Sequence, residues 1–204
     1  MLKKIGLLSS AAVMAFAFNS ASLNINDKDI ELSGRLDVGQ FNYNVQPNTV
    51  FIGVRYLNGN QSHSSFASNS NGYYEASFLM LKKVPNTALK LGLGVKLNYT
   101  QANLAGGTRD FTSLPLGINA NYRLPVNFYV PWFLDGSVYY APEVLSMSDA
   151  NSFFAYRIHL DAEVIQNGYV QLGYRSINTN YKVNSVTYNE NYNHAFYAGF
   201  RFQF

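Results

Sequence analysis

The sequence has no cysteine, little charge and, beyond its N-terminus, no long apolar run. Of 204 residues only 13% are charged and one is tryptophan, against 16 tyrosines and 15 phenylalanines. Without apolar runs of about 20 residues, a bundle of membrane helices is excluded. The formal net charge of +3 comes without a basic cluster, which argues against a nucleic-acid partner. The missing cysteines exclude disulfides but favour no compartment.

The N-terminus has the pattern of a secretory signal peptide. Two lysines precede an apolar run over 5–18, and three small residues follow over 20–22. The run is shorter than the roughly 20 residues that a membrane-spanning helix needs. We therefore predict a signal peptide over 1–21, with the mature chain beginning between Ala21 and Leu23. A retained membrane anchor is the alternative.

From Thr49 onward, apolar and polar residues alternate in segments of about ten residues. Over 89–99, for example, Leu, Val and Tyr at odd positions alternate with Lys, Gly and Asn at even positions. Period two indicates strands with one apolar face. Short turns alternate with long polar loops, and these loops are expected at 58–72, 101–110, 141–150 and 182–192. The pattern predicts an all-β fold, a transmembrane antiparallel β-barrel over 49–204 with its long loops extracellular.

The strand count depends on the N-terminal segment over 22–48, which is partly strand-like. Residues 30–38 alternate, and the apolar phase changes after Gly39, which indicates a bulge or break. We expect eight barrel strands, with this segment appended to the barrel or lying inside it. A barrel of ten strands, in which the N-terminal region is split in two, is the alternative.

The chain ends in a strand pattern with apolar residues at alternate positions, among them Phe200, Phe202 and Phe204. This ending resembles the C-terminal signal of bacterial outer-membrane barrels, which the barrel-assembly machinery reads. The resemblance implies an outer-membrane protein whose C-terminus is periplasmic. The edge strand of a soluble sandwich is the alternative.

The predicted inner face carries most of the ionisable residues. Its candidate charge cluster consists of Asp135, Arg157, His159, Asp161, Glu163, Arg175 and Arg201. Keeping apolar faces together requires paired residues whose numbers have an even sum. We therefore expect Asp135 opposite Arg157, and a three-residue loop over 166–168, with Gly168 left-handed, that puts His159 opposite Arg175.

The predicted lumen holds more positive than negative charge. Seven cations (Arg55, Lys90, Lys96, Arg123, Arg157, Arg175, Arg201) face four carboxylates (Glu75, Asp135, Asp161, Glu163). A small barrel is just filled by its own side chains. A salt-bridged plug is therefore the first expectation, and a narrow anion-preferring passage is the alternative.

Several short stretches carry a family resemblance. They are Tyr139-Tyr140-Ala141-Pro142 with Leu145, Ser146 and Asp149, then Tyr156-Arg157, and then Gly173-Tyr174-Arg175 with Ile177 and Asn178. Together they resemble the YfaZ family of outer-membrane proteins, over about 110–178 and at the C-terminus. The resemblance implies a location and a fold, and no activity.

These patterns predict a small outer-membrane barrel with a structural or surface-interaction role. We expect a monomer without enzymatic activity, cofactor or metal, surrounded by outer-membrane lipid and lipopolysaccharide and delivered by the secretion and barrel-assembly machinery. A lipid-modifying enzyme would use His159 as base and Asp161 to orient it. The nearest inward hydroxyl on the facing strand, Ser137, is expected roughly 13 Å from His159, which weakens that alternative. Adhesion through the Asn- and Ser-rich loops is a third class.

Overall fold

The computed structural model describes residues 19–27, 29–59, 72–104, 106–126 and 128–204. Most of the predicted signal peptide and most of the predicted loop over 58–72 therefore lie outside the described residues. None of the described helical segments has the length and hydropathy of a membrane-spanning helix. The described strands are β1 (Ser20–Ile25), β2 (Asp29–Asp37), β3 (Val50–Gly59), β4 (Tyr73–Lys83), β5 (Leu89–Leu104), β6 (Gly107–Ser113), β7 (Leu116–Arg123), β8 (Trp132–Ala141), β9 (Ser146–Ser148), β10 (Ala150–Ile165), β11 (Gly168–Val183) and β12 (Val186–Gln203).

The sheet closes into a barrel because β1 pairs with both β2 and β12. Every neighbouring pair around the wall is antiparallel. β6 and β7 follow each other along the same side of β5, with a break at Pro115, whose nitrogen has no hydrogen to donate. They act as one strand of the wall, and β9 is a short addition that pairs with β6. The result is a closed antiparallel barrel of ten strands.

The predicted fold class is confirmed, and the strand count is the ten-strand alternative rather than eight. The N-terminal region is split into β1 and β2, and both belong to the wall. β2 pairs with β3 from Asp29 opposite Gly59 to Asp37 opposite Phe51. The phase break near Gly39 is real: β2 ends there, and the Asp37 carboxylate caps a 3-10 turn by accepting a 3.0 Å hydrogen bond from the Gly39 N–H.

Two of the predicted long loops are strand hairpins. β5 continues to Leu104 and β6 begins at Gly107, while β11 continues to Val183 and β12 begins at Val186. Asn184 and Ser185 form the second turn, with φ angles of 50° and 67°. Two consecutive left-handed residues are typical of the tight turn that matches strand twist. We call this end of the barrel the upper end, and the end where Ser20 pairs with Gln203 the lower end.

The hairpin between β10 and β11 differs from the expected three-residue loop. Asn167, not Gly168, has the left-handed φ, at 62°, and β10 contains a bulge between Glu163 and Ile165. Because of the extra residue, paired residues again have numbers with an even sum, as predicted. Each residue from Ser152 to Glu163 nevertheless lies opposite a β11 residue two positions away from the predicted one. Arg157 therefore lies opposite Arg175, and His159 opposite Gly173.

The outer surface changes character at a ring of aromatic side chains, the aromatic girdle. It consists of Tyr56, Tyr74, Tyr99, Tyr140, Phe154, Tyr156, Tyr174 and Phe196. Neighbouring rings are close, with centroids 5.0 Å apart for Tyr56 and Tyr74 and 4.9 Å apart for Tyr174 and Phe196. Below the girdle the outward side chains are exposed and apolar, among them Leu23, Ile52, Leu93, Ile118 and Leu172. Above it they are polar, among them Gln101, Asn103, Thr108, Asp110, Asn180 and Lys182.

Candidate functional site in the barrel lumen

Glu31 of β2 lies at the centre of the lumen and is fully buried. The Arg157 guanidinium donates to both of its carboxylate oxygens, with Nη1 2.8 Å from Oε1. Arg175 Nη1 and Asn24 Nδ2 also donate to it, at 3.1 and 2.9 Å, and Arg55 Nη1 lies 3.7 Å from Oε2. A buried carboxylate is costly unless it is paired and hydrogen-bonded. Three guanidinium groups from three strands compensate this one.

Arg175 is the largest of the fully buried side chains, at 1% exposure. It forms an ion pair with Asp29, and its Nε donates to Asn193 Oδ1 at 2.9 Å. Asn193 Nδ2 in turn donates to Asp29 Oδ2 at 2.7 Å. Asn193 and its neighbour Tyr192 both face inward. This is possible because β12 has a bulge at Tyr192: Asn193 pairs with Ile177, and Asn191 pairs with Asn178. All the polar groups around this guanidinium are thus supplied by the wall.

Glu75 of β4 extends the network across the lumen. Arg55 pairs with it, Lys96 Nζ lies 3.1 Å from Oε1, and the Tyr73 hydroxyl donates to Oε2 at 2.9 Å. Because Arg55 contacts both Glu31 and Glu75, the two centres are continuous. We call this network the charged layer: Asp29, Glu31, Arg55, Glu75, Lys96, Arg157 and Arg175.

A second group of ionisable residues, the Asp–His–Asp group, lies below the charged layer. It consists of Asp135 of β8 with His159 and Asp161 of β10. His159 Nε2 lies 3.9 Å from Asp135 Oδ2 and 3.7 Å from Asp161 Oδ1. Arg201 Nη2 lies 2.7 Å from Asp161 Oδ2. The ligand atoms of the three residues are all within 4.8 Å of one another.

The structure divides the predicted charge cluster into three parts. Asp135, His159, Asp161 and Arg201 lie together, whereas Arg157 and Arg175 join the charged layer around Glu31. Glu163 lies at the lower turn, where its carboxylate accepts a 3.3 Å hydrogen bond from the Asn167 N–H.

The predicted pairs in this cluster are wrong by two residues of register. Asp135 lies opposite His159 rather than Arg157, and Ser137 lies opposite Arg157. Arg175 lies opposite Arg157 rather than His159. Two cations facing each other need a carboxylate between them, and Glu31 supplies it.

The inward residues of β2 were not among the predicted lumen charges, because the segment over 22–48 was expected to lie outside the wall. Its alternation already carried the signal, since Glu31, Arg35 and Asp37 fall on the polar positions. Adding these residues and Asp29 raises the number of inward cations from seven to eight. The number of inward carboxylates rises from four to seven. The predicted excess of three positive charges falls to one.

The upper part of the lumen is closed by the aromatic cap, which consists of Tyr73, Phe111, Phe153, Tyr181 and Tyr192. All five are fully buried. The ring centroids of Phe111 and Tyr181 are 5.2 Å apart, and those of Tyr73 and Tyr192 are 5.5 Å apart. Burial raises the pKa of the Tyr181 hydroxyl. The cap is an ordinary hydrophobic core enclosed by the extended hairpins.

A cavity of about 150 Å³ lies in the lower part of the lumen. Polar side chains line it, among them Ser22, Arg35, Ser77, Asn119, His159 and Arg201. A water molecule occupies about 30 Å³ in the liquid, so the cavity has room for a few waters or one small ligand.

Neither a scan against protein-family models nor a search of curated proteins finds a match to the chain.

Proposed function

We propose that this protein is an outer-membrane β-barrel with a structural or surface-interaction role and a lumen filled by its own side chains. The observation that carries this proposal is the reversal of polarity at the aromatic girdle. Below the girdle the wall is apolar outside and charged inside, which suits a lipid surround. Above it the wall is polar outside and aromatic inside, which suits water. Aromatic side chains are enriched where the two environments meet.

A filled lumen is supported by two barriers stacked along the barrel axis. The charged layer connects β2, β3, β4, β5, β10 and β11 through ion pairs, and the aromatic cap lies above it. An ion moving through would have to break buried salt bridges and then enter an apolar core. The near balance of inward charge also removes the main reason to expect anion preference.

An enzymatic role receives less support from the site. The groups within 4 Å of His159 Nε2 include two carboxylates, Asp135 and Asp161. A base that activates a nucleophile needs a hydroxyl or thiol within hydrogen-bond reach. Because carboxylates are the near neighbours of His159 Nε2, we keep the proposed role non-enzymatic.

The orientation and the route of export follow from the same proposal. The polar hairpins above the girdle would face the cell exterior, among lipopolysaccharide, and both ends of the mature chain would face the periplasm. β1 begins at Ser20, and the Phe204 N–H donates to the Asn19 carbonyl at 2.8 Å. Cleavage N-terminal to Asn19 would keep these contacts, so we place it there rather than at Ala21–Leu23. The resemblance to the YfaZ family is part of this proposal.

The single tryptophan offers a direct test of the lipid-facing surface. Trp132 begins β8 at the lower edge of the apolar surface, on the outward side, with its ring 6.3 Å from that of Phe128. In refolded protein in vesicles, lipids carrying a quencher near the headgroup should quench its fluorescence more than lipids quenching at the bilayer centre. The variant Trp132→Phe measures the background. Quenching by neither lipid would favour a soluble barrel.

Planar-bilayer recordings test the filled lumen. We expect insertion of the refolded wild-type protein without steady single-channel currents. A uniform conductance with anion selectivity would contradict the filled lumen and favour the alternative of a narrow anion channel.

A further inference from the structure

We propose that Asp135, His159 and Asp161 form a binding site for one divalent zinc ion on the wall of the lower lumen. The topology brings the three side chains together. Asp135 and His159 are directly opposed on β8 and β10, and Asp161 follows two residues later on the same inward face. The site does not depend on the proposed membrane location, since it uses only the inner face of the barrel.

The three side chains converge without satisfying one another. The distances from His159 Nε2 to Asp135 Oδ2 and Asp161 Oδ1, 3.9 and 3.7 Å, are too long for hydrogen bonds. Asp135 Oδ2 is buried with no hydrogen-bond partner among the described residues. A buried carboxylate oxygen without a donor is costly. The arrangement therefore calls for a cation or a proton between the ligand atoms.

The spacing suits a metal ion. Zinc binds imidazole nitrogen and carboxylate oxygen at about 2.0–2.2 Å, which places neighbouring tetrahedral ligands roughly 3.4 Å apart. The two separations from His159 Nε2 need to close by only a few tenths of an ångström, and the ligand oxygens of the two carboxylates lie within 4.8 Å of each other. The imidazole selects zinc over magnesium and calcium, which prefer oxygen-only ligand sets.

Two amide side chains orient the carboxylates. Asn121 Nδ2 donates to Asp135 Oδ1 at 2.8 Å, and Gln171 Nε2 donates to Asp161 Oδ1 at 2.9 Å. These bonds leave Asp135 Oδ2 directed at His159. Outer-shell bonds of this kind hold ligands in position at many metal sites.

The access of the site also suits a divalent cation. Arg201 Nη2 lies 2.7 Å from Asp161 Oδ2 and the Arg35 guanidinium interacts with Asp135, so hydroxide or another small anion in the cavity would balance the charge of a bound zinc ion. Asp135 and His159 both line the lower cavity, which gives the ion an entry path and room for a water ligand.

The test is a zinc titration of the tag-free, full-length protein, refolded and treated with EDTA, in competition with a chromophoric chelator. We expect one ion per chain, and visible absorption bands of a four-coordinate nitrogen–oxygen site with cobalt in place of zinc. Asp135→Asn keeps the shape of the side chain and should weaken binding about 10- to 100-fold or more, as should His159→Ala. The double variant His63→Ala/His194→Ala changes the other two histidines and should bind like wild type.

Retained heat-modifiable migration on gels would show that each variant still folds. The positioning variant Gln171→Leu should weaken binding less than His159→Ala and leave the stoichiometry at one. No binding by the folded wild type would overturn the proposal. Equal affinity in wild type and Asp135→Asn would overturn it too, as would loss of binding on changing His63 and His194.

Discussion

The lower and upper halves of this barrel are built from the same strands but place their apolar side chains on opposite faces of the wall. On β10, the lower inward positions hold Arg157, His159 and Asp161, whereas the upper inward position Phe153 is fully buried among aromatic rings. On the outward face the order reverses, from the exposed Ile158 below to Ser152 above. One strand thus contributes to a polar interior at one height and to an apolar interior at another.

The proposed membrane location accounts for this difference, because the surroundings and not the strand would then decide which face is apolar. In water, burying apolar surface drives folding, so an upper half that faces water, as proposed, would be stabilised by its aromatic cap. In lipid, the outer face of the lower half would have no water to leave, and the interior would have to satisfy its polar groups internally. In the charged layer, carboxylates and guanidinium groups satisfy one another by forming ion pairs.

The largest expected effect comes from removing the central carboxylate of the lower half. Glu31→Ala leaves the buried Arg157 and Arg175 without their shared partner, so we expect a loss of about 3–5 kcal/mol in the free energy of unfolding. Urea unfolding of protein refolded in micelles measures it. The matched control Glu143→Ala breaks the exposed pair with Lys182 at the upper rim and should cost less than about 1 kcal/mol. Similar losses for both variants would mean that the charged layer is wet.

The aromatic cap provides the corresponding test for the upper half. Phe153→Ala removes a fully buried ring that contacts Tyr73 and Phe111, and should cost about 3–5 kcal/mol. Its neighbour Phe154 faces outward in the girdle at 40% exposure, and Phe154→Ala should cost less, on the order of 1 kcal/mol. The reverse order in urea unfolding would place the apolar side of the upper wall outside.

A charge on the outer face distinguishes the two halves most directly. Phe200, 55% exposed, lies on lower β12, and Phe200→Arg should cost about 2–4 kcal/mol if it lies near the bilayer centre. Asn189 is exposed on upper β12, and Asn189→Arg should change stability by less than about 0.5 kcal/mol. Both values come from refolding in vesicles. Equal and small changes would show that no part of β12 faces lipid.

The smallest effect is expected at the upper turn, where the rules for soluble hairpins should hold. Ser185 has a left-handed φ of 67°, a conformation that costs most residues about 1 kcal/mol or more and glycine little. Ser185→Gly should therefore raise the unfolding free energy by about 0.5 kcal/mol. Asn184→Gly should have less effect, because asparagine tolerates this conformation. A loss of stability in Ser185→Gly would indicate that the serine side chain has a role of its own.

Alternation predicted the faces of the strands well because it depends only on the period of the side chains. Arg55, Glu75 and Lys96 lie inside, as the pattern predicts. The strand register could not be predicted as well, since it depends on bulges that have no clear sequence signal. The bulge between Glu163 and Ile165 moved the β10–β11 pairs from Ser152 to Glu163 by two positions, and the pairing of β8 with β10 also differed by two.

The upper hairpins were mistaken for loops because the prediction assumed one polarity for the whole wall. Above the girdle the outward residues are polar, so the 101–110 and 182–192 segments lacked the expected apolar stripe. Their inward residues still alternate, with Ala102 and Leu104 on β5 and Tyr181 and Val183 on β11. The interior at β2 was missed for a different reason. Its alternation indicated a strand with one polar face, but did not decide whether that strand belongs to the wall.

The position of Glu31 on the second strand has a consequence for the order of assembly. Its bonds to Arg157 and Arg175 span 126 and 144 residues of chain. Contacts of such long range form late, because a long loop must close before they gain anything. Until the β1–β2 hairpin docks against β12 and β3, the two guanidinium groups face an open sheet without their carboxylate. Sealing the wall and neutralising the interior are therefore one and the same folding event.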